Sequence, residues 1–193
     1  HPGLALVLRR LLAETDVQRI RLGSLESLEV DDELIHVMNQ SDRICPHLHL
    51  PLQSGSDAIL KAMNRKYTKE EFIHLIETLR SRIHHLTVST DLILGFPGET
   101  LQKLRFSHIH AFPYSPRPGT PAAAMEDQVD PAVKKRRVEI VQDLSARQKD
   151  QWLQEMIGQT VRVLIEKQEG PEGEGFSENY ERVCVSGLEP HQE

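Results

Sequence analysis

Apolar positions along the chain switch repeatedly between helical and extended spacing. Leu4, Val7, Leu8, Leu11 and Leu12 recur at three- and four-residue intervals and predict a helix from Leu4 to about Glu14. Arg19–Leu22 reads as a short strand running into a polar loop, Gly23–Ser27. Asp31 or Asp32 is placed to cap a second helix that turns Leu34, Ile35 and Met38 inward. His47–Leu50 is the next strand, followed by the loop Pro51–Ser56. Ser56 then caps a short helix with Ile59, Leu60 and Met63, and Thr68 with Glu71 forms a capping box for a longer one with Phe72, Leu75, Ile76 and Leu79. Thr87–Leu94 is an apolar, β-branched run ending in a glycine loop, and Ser107–Phe112 is a further strand ending in Pro113–Pro121.

Strands alternating with helices imply an α/β fold with a parallel sheet or barrel. The loops Gly23–Ser27, Gln53–Ser56, Gly95–Glu99 and Pro113–Thr120 each follow a strand's carboxyl end. In parallel α/β folds those ends share one face, where ligands bind. The connection between Leu94 and Ser107 is too short for a helical crossover. Either that strand pair is antiparallel or a segment is missing between Glu99 and Phe106, and the second is preferred. Asp130-Pro131 opens a long helix to about Ile157, with Val133, Ile140, Val141, Leu144 and Met156 as its apolar stripe and Gly158 as its stop. Thr160–Ile165 and Asn179–Val185 read as two strands of a separate small β unit. The expected units are 1–125, 126–158 and 159–193.

Composition narrows the chemistry only a little. A net charge of −6 confines any nucleic-acid contact to a local patch. Two distant cysteines, Cys45 and Cys184, form no disulfide framework and fit a reducing cytoplasmic setting. No apolar run is long enough to span a bilayer. The opening His1-Pro2-Gly3, without a Met, suggests a piece of a longer protein. Gly95 and Gly98 offer positive φ or space for a ligand, and Pro97 stiffens the loop between them. Glu99 either serves a ligand or starts a helix. Asp91 is an acid inside an apolar strand and needs a partner. Cys45, His47 and His49 alternate along one strand face and form a candidate metal trio without an evident fourth ligand. Lys134, Lys135, Arg136 and Arg137 lie in the first turns of the long helix, on a solvated face or against phosphate.

Four motifs in one order carry a resemblance. His49-Leu-Pro-Leu-Gln-Ser-Gly-Ser56, Met63-Asn-Arg-Lys-Tyr67, Thr90-Asp-Leu-Ile-Leu-Gly-Phe-Pro-Gly-Glu-Thr100 and Tyr114-Ser-Pro-Arg-Pro-Gly-Thr-Pro-Ala122 are similar to those of the radical SAM methylthiotransferases. Phe112-Pro-Tyr-Ser115 and Gly175-Phe-Ser-Glu-Asn-Tyr180 most resemble the branch acting on threonylcarbamoyladenosine in tRNA. The resemblance implies the carboxyl-terminal part of a partial (β/α) barrel, a linker helix and a truncated small β-barrel of the TRAM type that holds tRNA. It implies S-adenosylmethionine and two 4Fe–4S clusters as cofactors. The cluster domain and the Cys-x-x-x-Cys-x-x-Cys motif are absent from this chain, so the fragment itself is expected to be inactive. By position, Gly95, Phe96, Gly98 and Glu99 would hold the adenine of the cofactor. Gln53, Ser54, Gly55 and Arg65 would line its methionine and ribose side, and Asp91 would point into the barrel. Tyr114, Arg117 and Thr120 would approach the sulfur-donor cluster or the tRNA base.

Other readings stay open at this stage. The methylthio group could go to isopentenyladenosine in tRNA or to a ribosomal protein side chain. A metal-dependent barrel hydrolase or lyase could use the face of Cys45, His47 and His49. A non-catalytic module could simply bind tRNA. Neither the sulfur source nor the electron donor is readable.

Overall fold

The computed structural model of the chain describes residues 3–97 and 108–189. The amino-terminal part carries four helices, α1 (Leu4–Glu14), α2 (Asp32–Gln40), α3 (Asp57–Ala62) and α4 (Lys69–Arg82), and three strands, β1 (His47–His49), β2 (Thr87–Leu94) and β3 (His108–Pro113). Local chemistry sets the helix starts. Asp31 accepts the Leu34 N–H at 2.8 Å, and Thr68 and Glu71 close the expected capping box. Ser56 occupies the cap position of α3, but its side chain makes no cap bond.

The strands form one sheet in the order β1-β2-β3, with both pairs parallel. This overturns the antiparallel alternative for β2 and β3. The segment expected to be missing, 99–106, lies outside the described residues. Alternation along the strands divides the sheet into two unlike faces. Leu48, Val88, Leu92, Leu94 and Ile109 are buried in the core with Leu8, Leu34, Leu60, Phe72 and Leu79 from the helices. Thr90 is the polar member of that face; its hydroxyl donates to Leu50 O at 2.7 Å and accepts from Leu52 N–H at 3.0 Å. The other face carries His47, His49, Thr87, Ser89, Asp91 and His110. The strand expected at Arg19–Leu22 is reduced to a single parallel bridge, Ile20 to Ile44.

Helix α5 (Pro131–Met156) is capped by Asp130, which accepts from Ala132 and Val133 N–H, and it ends beside Gly158 at φ +84°. It packs on β3, the sheet's last strand, and Ser145 Oγ accepts the Ile109 N–H at 2.9 Å. That contact fixes which side faces in. Lys134, Val141 and Ser145 are buried, with Val138 partly so. Val133 and Ile140, expected on the apolar stripe, are exposed instead.

The remaining strands, β4 (Val163–Glu169), β5 (Glu172–Ser177) and β6 (Arg182–Ser186), form an open antiparallel sheet in that order. The sequence reading placed two strands here and left the acidic, glycine-rich stretch out. That stretch is the middle strand. A β-carbon on Gly175 would run into the Leu164 carbonyl, and one on Gly173 into Leu188 and Ile165. Glycine within a strand marks close approach of a neighbouring backbone or side chain. No described helix is long and apolar enough to cross a membrane.

Candidate functional site

The carboxyl ends of the three strands and the loops after them form one rim. Gln53, at φ +71°, donates its N–H to Asp91 O and accepts the Ile93 N–H on its carbonyl, both at 2.9 Å. The Gln53–Ser56 turn therefore lies alongside the strand that feeds Gly95. Leu25 N–H donates to His49 O at 3.0 Å, which joins the Gly23–Ser27 loop to the same edge. Tyr114 N–H donates to Leu94 O at 2.7 Å, joining the fourth loop.

Around Gly95 the packing is close. Gly95 has φ +78°, and the Lys134 side chain fills the space its β-carbon would need. Lys134 Nζ donates to Tyr114 O at 3.2 Å. Phe96 is buried and meets the Tyr114 ring edge-on at 5.1 Å. The Tyr114 hydroxyl is buried without a hydrogen-bond partner. Of the expected residues, Gly98 and Glu99 lie outside the described ones. Ser54 is buried, and its hydroxyl accepts Ser56 N–H at 3.3 Å; Gly55 lies between them in the turn. Arg65 pairs with Glu26 of the first loop at 2.8 Å. Thr120 donates its hydroxyl to Arg117 O at 2.8 Å, and both residues are exposed. Lys135 and Arg136 are exposed and Arg137 half-buried. Lys134 is not on a solvated face: it is turned inward by its contact with Gly95.

Asp91 has the partner its position demanded. Its carboxylate lies 3.2 Å from His49 Nε2, and the other ring nitrogen of His49 lies 2.9 Å from Ser89 Oγ. His47 Nδ1 meets Thr87 Oγ1 at 3.1 Å. The trio of Cys45, His47 and His49 is not assembled. Cys45 precedes the strand, where its N–H donates to Ile20 O. Its thiol is pushed up by burial, with nearby arginines partly opposing. Among the described residues the set of close donors is instead His49, Asp91 and His110, with ligand atoms all within 4.8 Å. His110 was missed because the offset between β2 and β3 is not written in either strand. Only the observed register sets His110 opposite Asp91.

A cavity of about 320 Å³ opens on this polar face, between the parallel sheet, α5 and the small sheet. Its walls include Arg21, His49, His110, Lys149, Trp152 and Tyr180. The Arg21 guanidinium lies 3.0 Å from the Tyr180 ring centre, and Tyr180 stacks on Phe176 at 4.9 Å. Lys149 pairs with Glu181 at 2.6 Å and Arg182 with Glu174 at 3.1 Å. Sequence reasoning gave no sign of this cavity, since its walls come from segments more than a hundred residues apart.

Residues 3–106 match the Radical SAM superfamily. The chain belongs to that superfamily. Among curated proteins it is 39% identical over 200 residues to a threonylcarbamoyladenosine tRNA methylthiotransferase, MtaB, of Bacillus subtilis, covering 93% of this chain and 44% of the relative. It is 44% identical over 160 residues to a tRNA-2-methylthio-N(6)-dimethylallyladenosine synthase of Thermoanaerobacter sp., covering 78% and 34%. A protein of the same name from Maricaulis maris is 37% identical over 197 residues, covering 96% and 43%. These matches place the chain among the radical SAM methylthiotransferases, and it spans less than half the length of the relatives.

Members of the superfamily use S-adenosylmethionine and a 4Fe–4S cluster. The residues here do not fit a cluster. Cys45 is buried and Cys184 is exposed on β6; both are free thiols, and the chain has no third cysteine. S-adenosylmethionine fits better. The rim offers a left-handed glycine, a buried aromatic ring and, in Tyr114, a buried hydroxyl without a partner.

Proposed function

We propose that this chain supplies the rim that holds S-adenosylmethionine in a tRNA methylthiotransferase. In this reading the whole protein acts on threonylcarbamoyladenosine next to the anticodon. The observation that carries it is the lateral bonding of the Gln53 turn to the strand that enters Gly95. A nucleoside sulfonium ligand can lie across both.

Gly95, Phe96, Gly98 and Glu99 would hold its adenine. Gln53, Ser54 and Gly55 would take the methionine end, with Arg65 positioned by Glu26. Asp91 would face the barrel interior. When bound, S-adenosylmethionine supplies the radical that removes hydrogen from the target carbon and the methyl of the methylthio group. Two clusters, held by cysteines that are not in this sequence, complete the proposed cofactor set. Tyr114, Arg117, Thr120, Lys135, Arg136 and Arg137 would approach tRNA. Residues 1–125, 126–158 and 159–193 would act as partial barrel, linker helix and TRAM-like unit.

One observation favours threonylcarbamoyladenosine over an isopentenyl base. The cavity has the Arg21 guanidinium in its wall; the threonyl group carries a carboxylate, whereas the isopentenyl group carries no charge. The test is nucleoside mass spectrometry of tRNA from a strain lacking the gene. Loss of 2-methylthio-threonylcarbamoyladenosine alone is expected. Loss of the isopentenyl derivative instead would transfer the reading to that substrate, and an unchanged profile would reject both.

A further inference from the structure

We propose that His49, Asp91 and His110 bind one divalent first-row cation of the Fe2+, Co2+ or Zn2+ type on the polar face of the parallel sheet. The inference goes beyond the tRNA reading and does not depend on it.

The ladder places the three ligands. His49 lies opposite Ser89, and Asp91 lies opposite His110. Side chains alternate along strands, so all three point to one face from three neighbouring strands. Their donor atoms lie within 4.8 Å of one another. With metal–ligand bonds of about 2.0–2.1 Å, adjacent donors sit roughly 3 Å apart. His49 Nε2 and Asp91 Oδ2 are already there, at 3.2 Å. The His110 ring centre is 5.8 Å from that of His49, on an exposed side chain whose torsions can close the remaining gap.

The support around the ligands also fits. Ser89 Oγ lies 2.9 Å from His49 Nδ1. It can accept a hydrogen bond from a proton held on Nδ1, which leaves Nε2 as the unprotonated ligand nitrogen. The same hydroxyl lies 3.4 Å from His47 Nε2, which steadies it. Two imidazoles and one carboxylate suit borderline divalent cations and leave coordination positions vacant. His49 and His110 line the cavity, so those positions would take water or an oxygen donor entering it. Nearby cations do not leave the wall strongly positive, because Lys149 and Arg182 are each paired with a glutamate.

The test is calorimetric titration of Co2+ into the metal-stripped 193-residue chain, with visible absorption recorded in parallel. One equivalent is expected, with a Co2+ ligand-field band. His110→Ala removes an exposed side chain and should weaken binding about tenfold or more, since even supporting residues at metal sites cost that much. Asp91→Asn should do the same, with circular dichroism confirming the fold. The neighbouring rings of His84 and His85, 3.8 Å apart, are the obvious rival surface site. Replacing both with alanine should leave the affinity unchanged. No binding, or binding that survives His110→Ala and Asp91→Asn, overturns the proposal.

Discussion

Lys134 lies across Gly95, its aliphatic stem occupying the volume that a β-carbon on Gly95 would need. The two residues are 39 positions apart in sequence (134 − 95). Their contact anchors the start of α5 to the rim. A left-handed backbone costs a non-glycine residue about 1–2 kcal/mol. Gly95→Ala should therefore destabilise the chain by at least about that much, plus the work of displacing Lys134. Lys134→Ala in the Gly95→Ala background should recover the displacement part and leave the backbone part. Urea unfolding of the two single variants and the double variant measures this as a coupling energy. Strict additivity would show that the two residues do not press on each other.

The two cysteines should behave differently. The thiolate is the reactive form, and burial raises the Cys45 thiol above its ordinary value. Cys184 is exposed on β6. A thiol reagent at mildly alkaline pH should titrate Cys184 promptly in the native chain and Cys45 only after denaturant is added. Two prompt equivalents would place Cys45 nearer the surface than its 4% exposure allows.

Local chemistry was legible in the sequence; long-range register was not. The caps at Asp31, Thr68 with Glu71, and Asp130 could be read because each depends on residues within one helical turn. The shared rim was legible because parallel strands send their carboxyl ends to one side. Burial of Lys134 was not, since charge suggests solvent and only the distant Gly95 explains its position. The Glu172–Ser177 strand was hidden because its glycines answer to neighbours across the sheet rather than to strand propensity. The approach of His49, Asp91 and His110 depends on an inter-strand offset that a period of two cannot specify.

The capping box of α4 makes a pH prediction. Glu71 accepts from Thr68 N–H at 2.7 Å and from its hydroxyl at 3.0 Å. These bonds hold the Glu71 carboxyl below its ordinary value, with the backbone bond the larger cause. A depressed folded value means the contribution is complete above the unfolded value and is lost as pH falls through the folded one. Glu71→Ala should melt below the parent chain at neutral pH, and the gap should narrow as pH drops below about 4. A gap that stays constant with pH would assign the effect to something other than the carboxylate.

The last prediction concerns how the small sheet is held. Arg19 donates to Phe176 O at 2.9 Å and to Arg162 O at 3.3 Å. Arg162 in turn donates to Asp42 O at 2.7 Å while its Nε binds Glu178 at 2.8 Å. The Glu178 contact raises the Arg162 guanidinium further above its usual value, so it remains charged at any working pH. Two arginines thus tie the small sheet to the loops before β1, using backbone carbonyls as acceptors. Hydrogen bonds to charged groups contribute about 1.5–3 kcal/mol when shielded, and less where solvent reaches them, as it does here. Arg19→Ala with Arg162→Ala should therefore release the small sheet without unfolding the parallel one. Limited proteolysis should then cut near Gly158 while amide exchange in β2 stays slow. Equal protection at both places in the double variant would mean that apolar packing around Tyr180, not the arginines, holds the sheet in place. Slowing of neither, with β2 also exposed, would mean that the cavity wall is part of the folding core itself.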